Sequence, residues 1–349
     1  MTAGEALSDI FRRLIENHGP ISLMQFMGES NARYYSTRDP FGTEGDFITA
    51  PEISQMFGEL IGLWLADMWI RSGGATPVHY VELGPGRGTL ARDALRVARR
   101  QGLDPQVHFV EGSSALRDVQ IEALPDAQWH HDLSSVPSDG SLLIVANEFL
   151  DALPVRQLVM TEQGWRERMV ALDGGRFVPV AGTKPMDAAV PVSMRNAAQG
   201  TILETCLAAA ATVHEIAARL AQQGGCALLI DYGHAELRTG STLQALKAHR
   251  KVDPFTMPGE ADLTTHVDFS VLAPVTEGQG CKWLGTVQQG PWLRSLGIEM
   301  RASSLAKAFP ERSDEIRSAV DRLVAEDQMG SLFKVMGLAA PGWPDGAGF

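Results

Sequence analysis

Apolar residues at Leu7, Ile10, Phe11 and Leu14 mark one face of a helix over residues 4–17, and His18-Gly19-Pro20 stops it. A second helix is predicted from Leu23 to about Ser30. The stretch from Tyr34 to Pro51, rich in Gly, Asp, Thr and Pro, reads as a long ordered loop, and a third helix follows from Ile53 to about Ile70. Nothing before residue 75 alternates like a strand. From residue 78 the pattern changes to short apolar runs at Val78–Leu83, Val107–Val110, Trp129–His131 and Leu142–Ala146, with helical segments near 88–101 and 113–124 between them. Such alternation predicts a parallel, doubly wound sheet. The rhythm breaks at Val155–Thr161, Trp165–Leu172 and Arg176–Val180, which Gly-containing turns join into an antiparallel meander.

The α/β rhythm resumes with a helix near Ile202–Gln222 and a strand at Cys226–Ile230. A polar insertion then precedes a helix at Phe269–Glu277 and a sixth strand at Lys282–Val287. Helices near 291–296, 302–309 and 313–327 lead to a last strand, Ser331–Leu338. A final strand entered through helices after the sixth fits the seven-stranded methyltransferase sheet, in which it lies antiparallel beside the fifth. The expected fold is therefore α/β: a seven-stranded Rossmann-like methyltransferase sheet with a helical N-terminal extension and β-rich and loop insertions. Residues 1–75 form the extension and 76–340 the core, with insertions at about 155–200 and 234–265 and a frayed tail at 341–349.

The bulk numbers restrict this picture only mildly. At 349 residues, 44% hydrophobic and 21% charged, the chain has the profile of an ordinary globular enzyme. No apolar run approaches the roughly 18 residues a membrane helix needs, and the N-terminus lacks a secretory pattern, so a cytoplasmic protein is expected. Three scattered cysteines argue against a disulfide framework or a thiolate metal site, and no metal is expected. A net charge of −12 disfavours a nucleic-acid binder and permits a cationic partner.

The chemistry begins at Glu82-Leu83-Gly84-Pro85-Gly86-Arg87-Gly88, where the first strand turns into a helix. A dinucleotide loop places a third glycine where Thr89 stands, which disfavours a nicotinamide oxidoreductase, and no G-K-[ST] closes a P-loop. An acid two residues before G-x-G-x-G is the version that takes S-adenosylmethionine. The glycines admit the backbone close to the methionine end, Glu82 meets its ammonium, and the helix N-terminus that follows favours its carboxylate. Glu111, ending the second strand, suits a ribose diol. Asp132 and the Leu133 N–H, ending the third, suit adenine. Three successive strand ends thus form one track.

Methyl transfer needs the acceptor held in line more than it needs acid–base chemistry. The fourth strand ends in Asn147-Glu148-Phe149-Leu150-Asp151, and two carboxylates in so short a turn could grip a guanidinium by paired, charge-assisted bonds. Asp231, ending the fifth strand, and Asp262 and His266 in Asp262–Phe269 add polar groups at the same edge; a helix start is the bland alternative for the last segment.

Two blocks are more specific than the glycine loop: Phe41-Gly42-Thr43-Glu44-Gly45-Asp46-Phe47-Ile48-Thr49-Ala50-Pro51-Glu52, and Asn147-Glu148-Phe149-Leu150-Asp151-Ala152-Leu153-Pro154. With Asp231-Tyr232-Gly233 and the Asp262–Phe269 segment, the chain from about Tyr34 to Leu338 resembles the MidA-type methyltransferases. That resemblance implies S-adenosylmethionine as donor and symmetric dimethylation of an arginine in a respiratory complex I core subunit, with eukaryotic relatives in the mitochondrial matrix. It also implies that Tyr34, Tyr35, Asp46, Phe47 and Thr49 close over the cofactor. The alternatives are a methyltransferase for a small molecule or another residue type, and an assembly chaperone that binds the donor without turnover. The oligomeric state is not legible.

Overall fold

A computed structural model describes residues 5–37, 49–247 and 250–349. Seven strands make the main path of the central sheet, β1 (Val78–Leu83), β2 (Gln106–Val110), β3 (Gln128–His130), β4 (Ser141–Asn147), β5 (Gly225–His234), β6 (Lys282–Gln288) and β7 (Phe333–Ala339), and the two-residue strand Val267–Asp268 pairs parallel with the end of β5. Their order across the sheet is β6-β7-β5-β4-β1-β2-β3, with β7 antiparallel to both its neighbours and the strands from β5 to β3 parallel. Order reverses between β4 and β1, the place where open α/β sheets bind ligands at their carboxyl ends.

Alternate residues of each strand face opposite layers. Val78, Tyr80, Leu143, Val145, Leu228 and Ile230 pack into one core, and Val81, Leu83, Ile144, Ala146, Ala227 and Leu229 into the other. Every residue of β1 and β4 is buried, so these strands carry no polar alternation and read as apolar runs. The helix Gln55–Arg71 belongs to this body. Its Gly62 sits against the helix Thr89–Arg100 so tightly that a Cβ there would lie 2.2 Å from the Ala94 carbonyl. Glu59, buried beside it, accepts from Arg301 at 2.6 Å and Arg96 at 2.9 Å. Burial opposes its ionisation, but those two cations hold its pKa below the usual range.

A second, antiparallel sheet stands over the carboxyl edge. Gly164–Asp173 pairs with Arg156–Thr161 and Arg176–Pro185, and Arg156–Thr161 with Ile202–Thr205. The helices α1 (Leu7–His18) and α2 (Leu23–Thr37) pack on it through Phe11, Phe26 and Phe177, with Phe11 and Phe26 stacked at 5.0 Å. Ala245, Ala261 and Leu263 from the second insertion join this cluster. Helices α1 and α2 and both insertions therefore share one core.

Several expectations are revised. The two-residue strand Ile21–Ser22 pairs with Val170 and Met169, so a strand does precede residue 75. Helix α2 runs on to Thr37 rather than ending near Ser30, because Asn31 and Tyr34 are buried on its inner face. The predicted helix over Ile202–Gln222 starts as a strand and becomes helical only at Leu207: Ile202–Thr205 pairs antiparallel with Arg156–Val159. The tail is docked rather than frayed, since Phe349 packs on Trp64 and Trp292 and the Trp64 indole N–H donates to Ala347 O at 3.1 Å.

Candidate active site

The turn after β1 can close only because its glycines take left-handed backbone angles: φ is 62° at Gly84, 54° at Gly86 and 76° at Gly88. A Cβ on Gly84 would also stand 2.8 Å from the Phe149 ring. Gly88 caps the helix that begins at Thr89 and offers no side chain to its first backbone N–H groups. Thr89 donates to Glu52 at 2.5 Å, tying the loop to the short helix Ala50–Ile53.

Glu82, Pro85, Thr89, Thr49 and Asn147 line a small cavity of about 40 Å³ beside the glycines. Two features there suit an ammonium group. The Asn147 Oδ1 is buried without a hydrogen-bond partner. Glu82 is buried and, among the described residues, accepts from the Tyr80 hydroxyl alone, at 2.5 Å, and burial pushes its carboxyl up to about 8. A cation arriving between them would satisfy both.

The larger cavity, about 440 Å³, opens from Gly84 and Gly86 and reaches Glu111 on one side and Glu148, Asp151 and Asp262 on the other. Glu111 accepts from the Ser113 N–H at 2.7 Å and Gln120 Nε2 at 3.1 Å, and burial raises its pKa. No lysine or arginine is among the described residues that line this cavity.

Glu148 is the one non-glycine among the described residues in the left-handed region, at φ 51°. It turns the chain out of β4 while its N–H still donates to Ile230 O at 2.9 Å. Backbone strain of this kind persists where surrounding bonds over-determine it. Its Oε1 accepts from the Ala50 N–H at 3.0 Å and Asn147 Nδ2 at 3.3 Å, and burial lifts the carboxyl to about 8, with Asp151 adding to the rise. Asp231 does not line the cavity. Buried beneath the turn, its carboxylate accepts the N–H groups of Leu150 at 2.9 Å, Asp151 at 3.2 Å and Tyr232 at 3.0 Å. Burial raises both Asp151 and Asp231, and the backbone N–H bonds to each oppose it.

The cap supplies the far wall. Tyr35 donates to Asp262 at 2.8 Å, and its carbonyl accepts from Ser113 at 2.8 Å. Asn31, which sequence reasoning missed, donates to Ala152 O at 2.9 Å and Leu263 O at 2.7 Å and accepts from the Leu263 N–H at 3.1 Å. Its signal was a polar residue on the buried face of α2, four residues after Met27. Ser113 and Gln120 were missed as well.

Three expected positions stand elsewhere. Asp132 is exposed and caps its own turn through Ser134 at 2.5 Å and Ser135 N–H at 3.2 Å, while Leu133 is buried in the core; neither lines either cavity. Arg219 fixes that segment from behind by donating to the carbonyls of Leu133, Val136 and Pro137. His266 faces away from Glu148 and Asp151, into a separate cavity. Asp46 and Phe47 lie outside the described residues.

A sheet of this order, with a glycine cradle and an orphaned acceptor at its switch point, defines the class: an S-adenosylmethionine-dependent methyltransferase. A family of S-adenosyl-L-methionine-dependent methyltransferases matches residues 60–287, and the chain belongs to that MidA-type family. Among curated relatives, the mitochondrial protein arginine methyltransferase NDUFAF7 homolog of Drosophila melanogaster is 38% identical over 95% of this chain and 84% of its own length. The Homo sapiens mitochondrial protein arginine methyltransferase NDUFAF7 is 35% identical over 93% of this chain and 81% of its own. A likely methyl transferase from Burkholderia thailandensis, solved bound to S-adenosyl-homocysteine, superposes with a TM-score of 0.85 at 29% identity, covering 98% of this chain and 93% of that one. The methyl donor is S-adenosylmethionine. No described helix is long and apolar enough to cross a membrane.

Proposed function

We propose that this enzyme methylates an arginine side chain of a protein, and that the half-buried Glu148 and the buried Asp151 receive the guanidinium. The observation that carries this reading is a cavity lined, among the described residues, by four carboxylates and no lysine or arginine, opening directly from the glycine cradle. An arginine is always charged and offers five N–H donors in a fixed plane, which matches acceptors on two sides. Burial lifts the Glu148 carboxyl to about 8, so it holds a proton until such a cation arrives and then ionises to bind it.

When bound, the donor supplies an electrophilic methyl group on a sulfonium. In this reading Glu82 and Asn147 hold its ammonium, Glu111 its ribose, and the loop Gly84, Pro85, Gly86, Gly88 and Thr89 its methionine end, with Thr49 at the entrance. Glu148 and Asp151 orient one guanidinium nitrogen toward the cradle; as the N–CH3 bond forms and the donor's S–CH3 bond breaks, the proton that this nitrogen loses passes to the ionised Glu148 or Asp151 carboxylate. Asp231 is a positioning residue that fixes the Glu148–Asp151 turn, and Asp262, held by Tyr35, closes the acceptor side. The relatives are named mitochondrial protein arginine methyltransferases, which supports a protein arginine as acceptor; the resemblance to the MidA-type family extends the proposal to symmetric dimethylation of a respiratory complex I core subunit, with this chain acting in the cytoplasm.

The test is mass spectrometry of a purified complex I core subunit incubated with the enzyme and methyl-labelled donor. Label on an arginine as symmetric dimethylarginine is the expected result. Label on low-mass guanidino compounds alone replaces the protein acceptor, and donor binding with no label anywhere leaves a chaperone.

A further inference from the structure

The helix Ser114–Ala123 buries Leu116 and Gln120, one turn apart on the same face. Leu116 lines the larger cavity. Gln120 lines neither that cavity nor the small one beside the glycines, yet it is fully buried and both ends of its amide are engaged. Its Nε2 donates to Gly86 O at 2.7 Å and to Glu111 Oε2 at 3.1 Å, and its Oε1 accepts from the Trp129 indole N–H at 2.8 Å. Neither Gln120 nor Trp129 has a part in the methyl-transfer reading so far.

An indole N–H can only donate, so the Trp129 bond decides which end of the Gln120 amide is oxygen. Both Nε2 hydrogens are then left for acceptors, and two acceptors are what they meet. Gly86 belongs to the cradle for the methionine end, and Glu111 stands at the ribose end. One planar amide thus ties the two ends of the track together. It cannot turn over without setting its oxygen against a carbonyl and a carboxylate, in a buried place where unmatched polar groups are costly. The Glu111 carboxylate is held by one donor on each oxygen: the Ser113 N–H reaches Oε1 at 2.7 Å, and Gln120 reaches Oε2. An ionised carboxylate has about two lone-pair sites per oxygen, so one remains on each, which matches two adjacent hydroxyls.

We propose that Gln120, its amide fixed by Trp129, is a positioning residue for the methyl donor: it holds the Glu111 carboxylate in the orientation that accepts the ribose hydroxyls and ties that acid to the Gly86 turn. The inference rests on the reading of Glu111 as the ribose acid. It also gives β3 a part in donor binding. No residue of that strand lines either cavity, but its Trp129 side chain reaches the ligand's partners through Gln120.

The experiment is titration calorimetry of the full chain with S-adenosylhomocysteine and with its 2′,3′-dideoxy analogue, which lacks the ribose hydroxyls. The wild type should bind the analogue at least about tenfold more weakly, and Glu111→Ala should bind the two ligands within about twofold of each other. Gln120→Met keeps the length of the side chain and removes its donors; it should weaken S-adenosylhomocysteine about 30-fold and cut the discrimination to about threefold or less. Trp129→Phe keeps the amide but frees it to turn over, and should cut the discrimination about threefold with a smaller loss of affinity. A role in packing alone would weaken both ligands alike and leave their ratio at the wild-type value. Discrimination lost in Glu111→Ala but kept in either Gln120→Met or Trp129→Phe would overturn the proposal and leave Glu111 as the ribose acid. Discrimination absent from the wild type, or kept in Glu111→Ala, would overturn both.

Discussion

Residues 78–147 and residues 156–205 each contribute four strands, but the two groups are buried differently. In the first, the strands are parallel, helices cover both faces, and β1 and β4 have no exposed position. In the second, the strands are antiparallel, and Gly164–Asp173 and Arg176–Pro185 interleave buried with half-exposed and exposed residues, because α1 and α2 cover one part and the short segment around Met186–Met194 another, leaving the rest to solvent. The difference separates tasks. The sheet buried on both faces brings the glycine turn, Glu111 and the Glu148–Asp151 turn to one edge with little freedom to shift. The half-covered sheet carries α2 and the Asp262 segment against that edge as a wall. Donor chemistry should therefore depend on the first region and acceptor chemistry on the second.

The largest effect tests the first half of that division. Gly84→Val puts a branched side chain at a left-handed position and into the Phe149 ring. Titration calorimetry should show S-adenosylhomocysteine binding weakened by at least about 100-fold, since the cradle must move to accept the valine. Retained binding would mean that the loop does not hold the donor.

Asp151→Asn comes next, because it lies on the sheet edge but serves the acceptor. Loss of one charge-assisted contact to a guanidinium should lower kcat/KM about 100-fold, with donor affinity nearly unchanged. The pH profile sharpens this. Glu148 must ionise to bind a cation, so kcat/KM should rise with pH until about 8, and Glu148→Gln should remove that limb along with most activity. Stability runs the other way. The folded chain keeps on Glu148 a proton that the unfolded chain releases near 4.5, so this group's contribution falls as pH rises from about 4.5 to about 8. Thermal melts of wild type and Glu148→Gln across that window should diverge, the variant losing less.

Legibility followed the same division. Both-face burial writes a strand as a continuous apolar run, so Val78–Leu83 and Leu142–Ala146 could be read with their turns, and the positive-φ glycines could be read with them. Alternation and Gly turns also revealed the meander, but not what covers it. The partners Phe11, Phe26, Val170 and Ala261 are far apart in sequence, and no periodicity links them. For the same reason Ile202–Thr205 was taken as helix: four residues in a strand have no pattern of their own until Arg156–Val159 pairs with them. At the site, the groups ending the strands at the switch point, Glu82, Glu111 and Glu148, are legible, whereas Asp132, after the short edge strand β3, caps its own turn instead, and groups reaching across from another layer, such as Asn31, leave no local pattern. His266 shared a short segment with Asp262, but a strand and a turn between them send the two side chains to different cavities.

Asn31→Ala tests the wall directly. It leaves the Leu263 N–H and two carbonyls without their partner in a buried place, which costs about 1–3 kcal/mol. The Tm should fall by several degrees, and kcat/KM by about tenfold as the Ala152 and Leu263 segments separate. Donor affinity should hold; a matching loss of donor binding would merge the two regions into one.

Tyr35→Phe asks the finest version of the question, because it removes one hydroxyl and keeps the ring. The Tyr35 hydroxyl donates to Asp262 from within the cavity wall, and burial together with Asp262 and Asp151 drives its own pKa well above the usual range, so it remains a donor at any working pH. Without it Asp262 keeps its place on the strand Asp262–Thr264 but loses one bond that orients its carboxylate. A single neutral-to-charged bond is worth about 1.5–3 kcal/mol when fully buried, and less where solvent can replace it. The expected change is thus a rise in acceptor KM of about three- to tenfold with kcat and donor affinity unaltered. A fall in kcat with KM unchanged would instead place Tyr35 among the groups that align the reacting nitrogen, and would move the acceptor's reactive end from the sheet edge toward the cap.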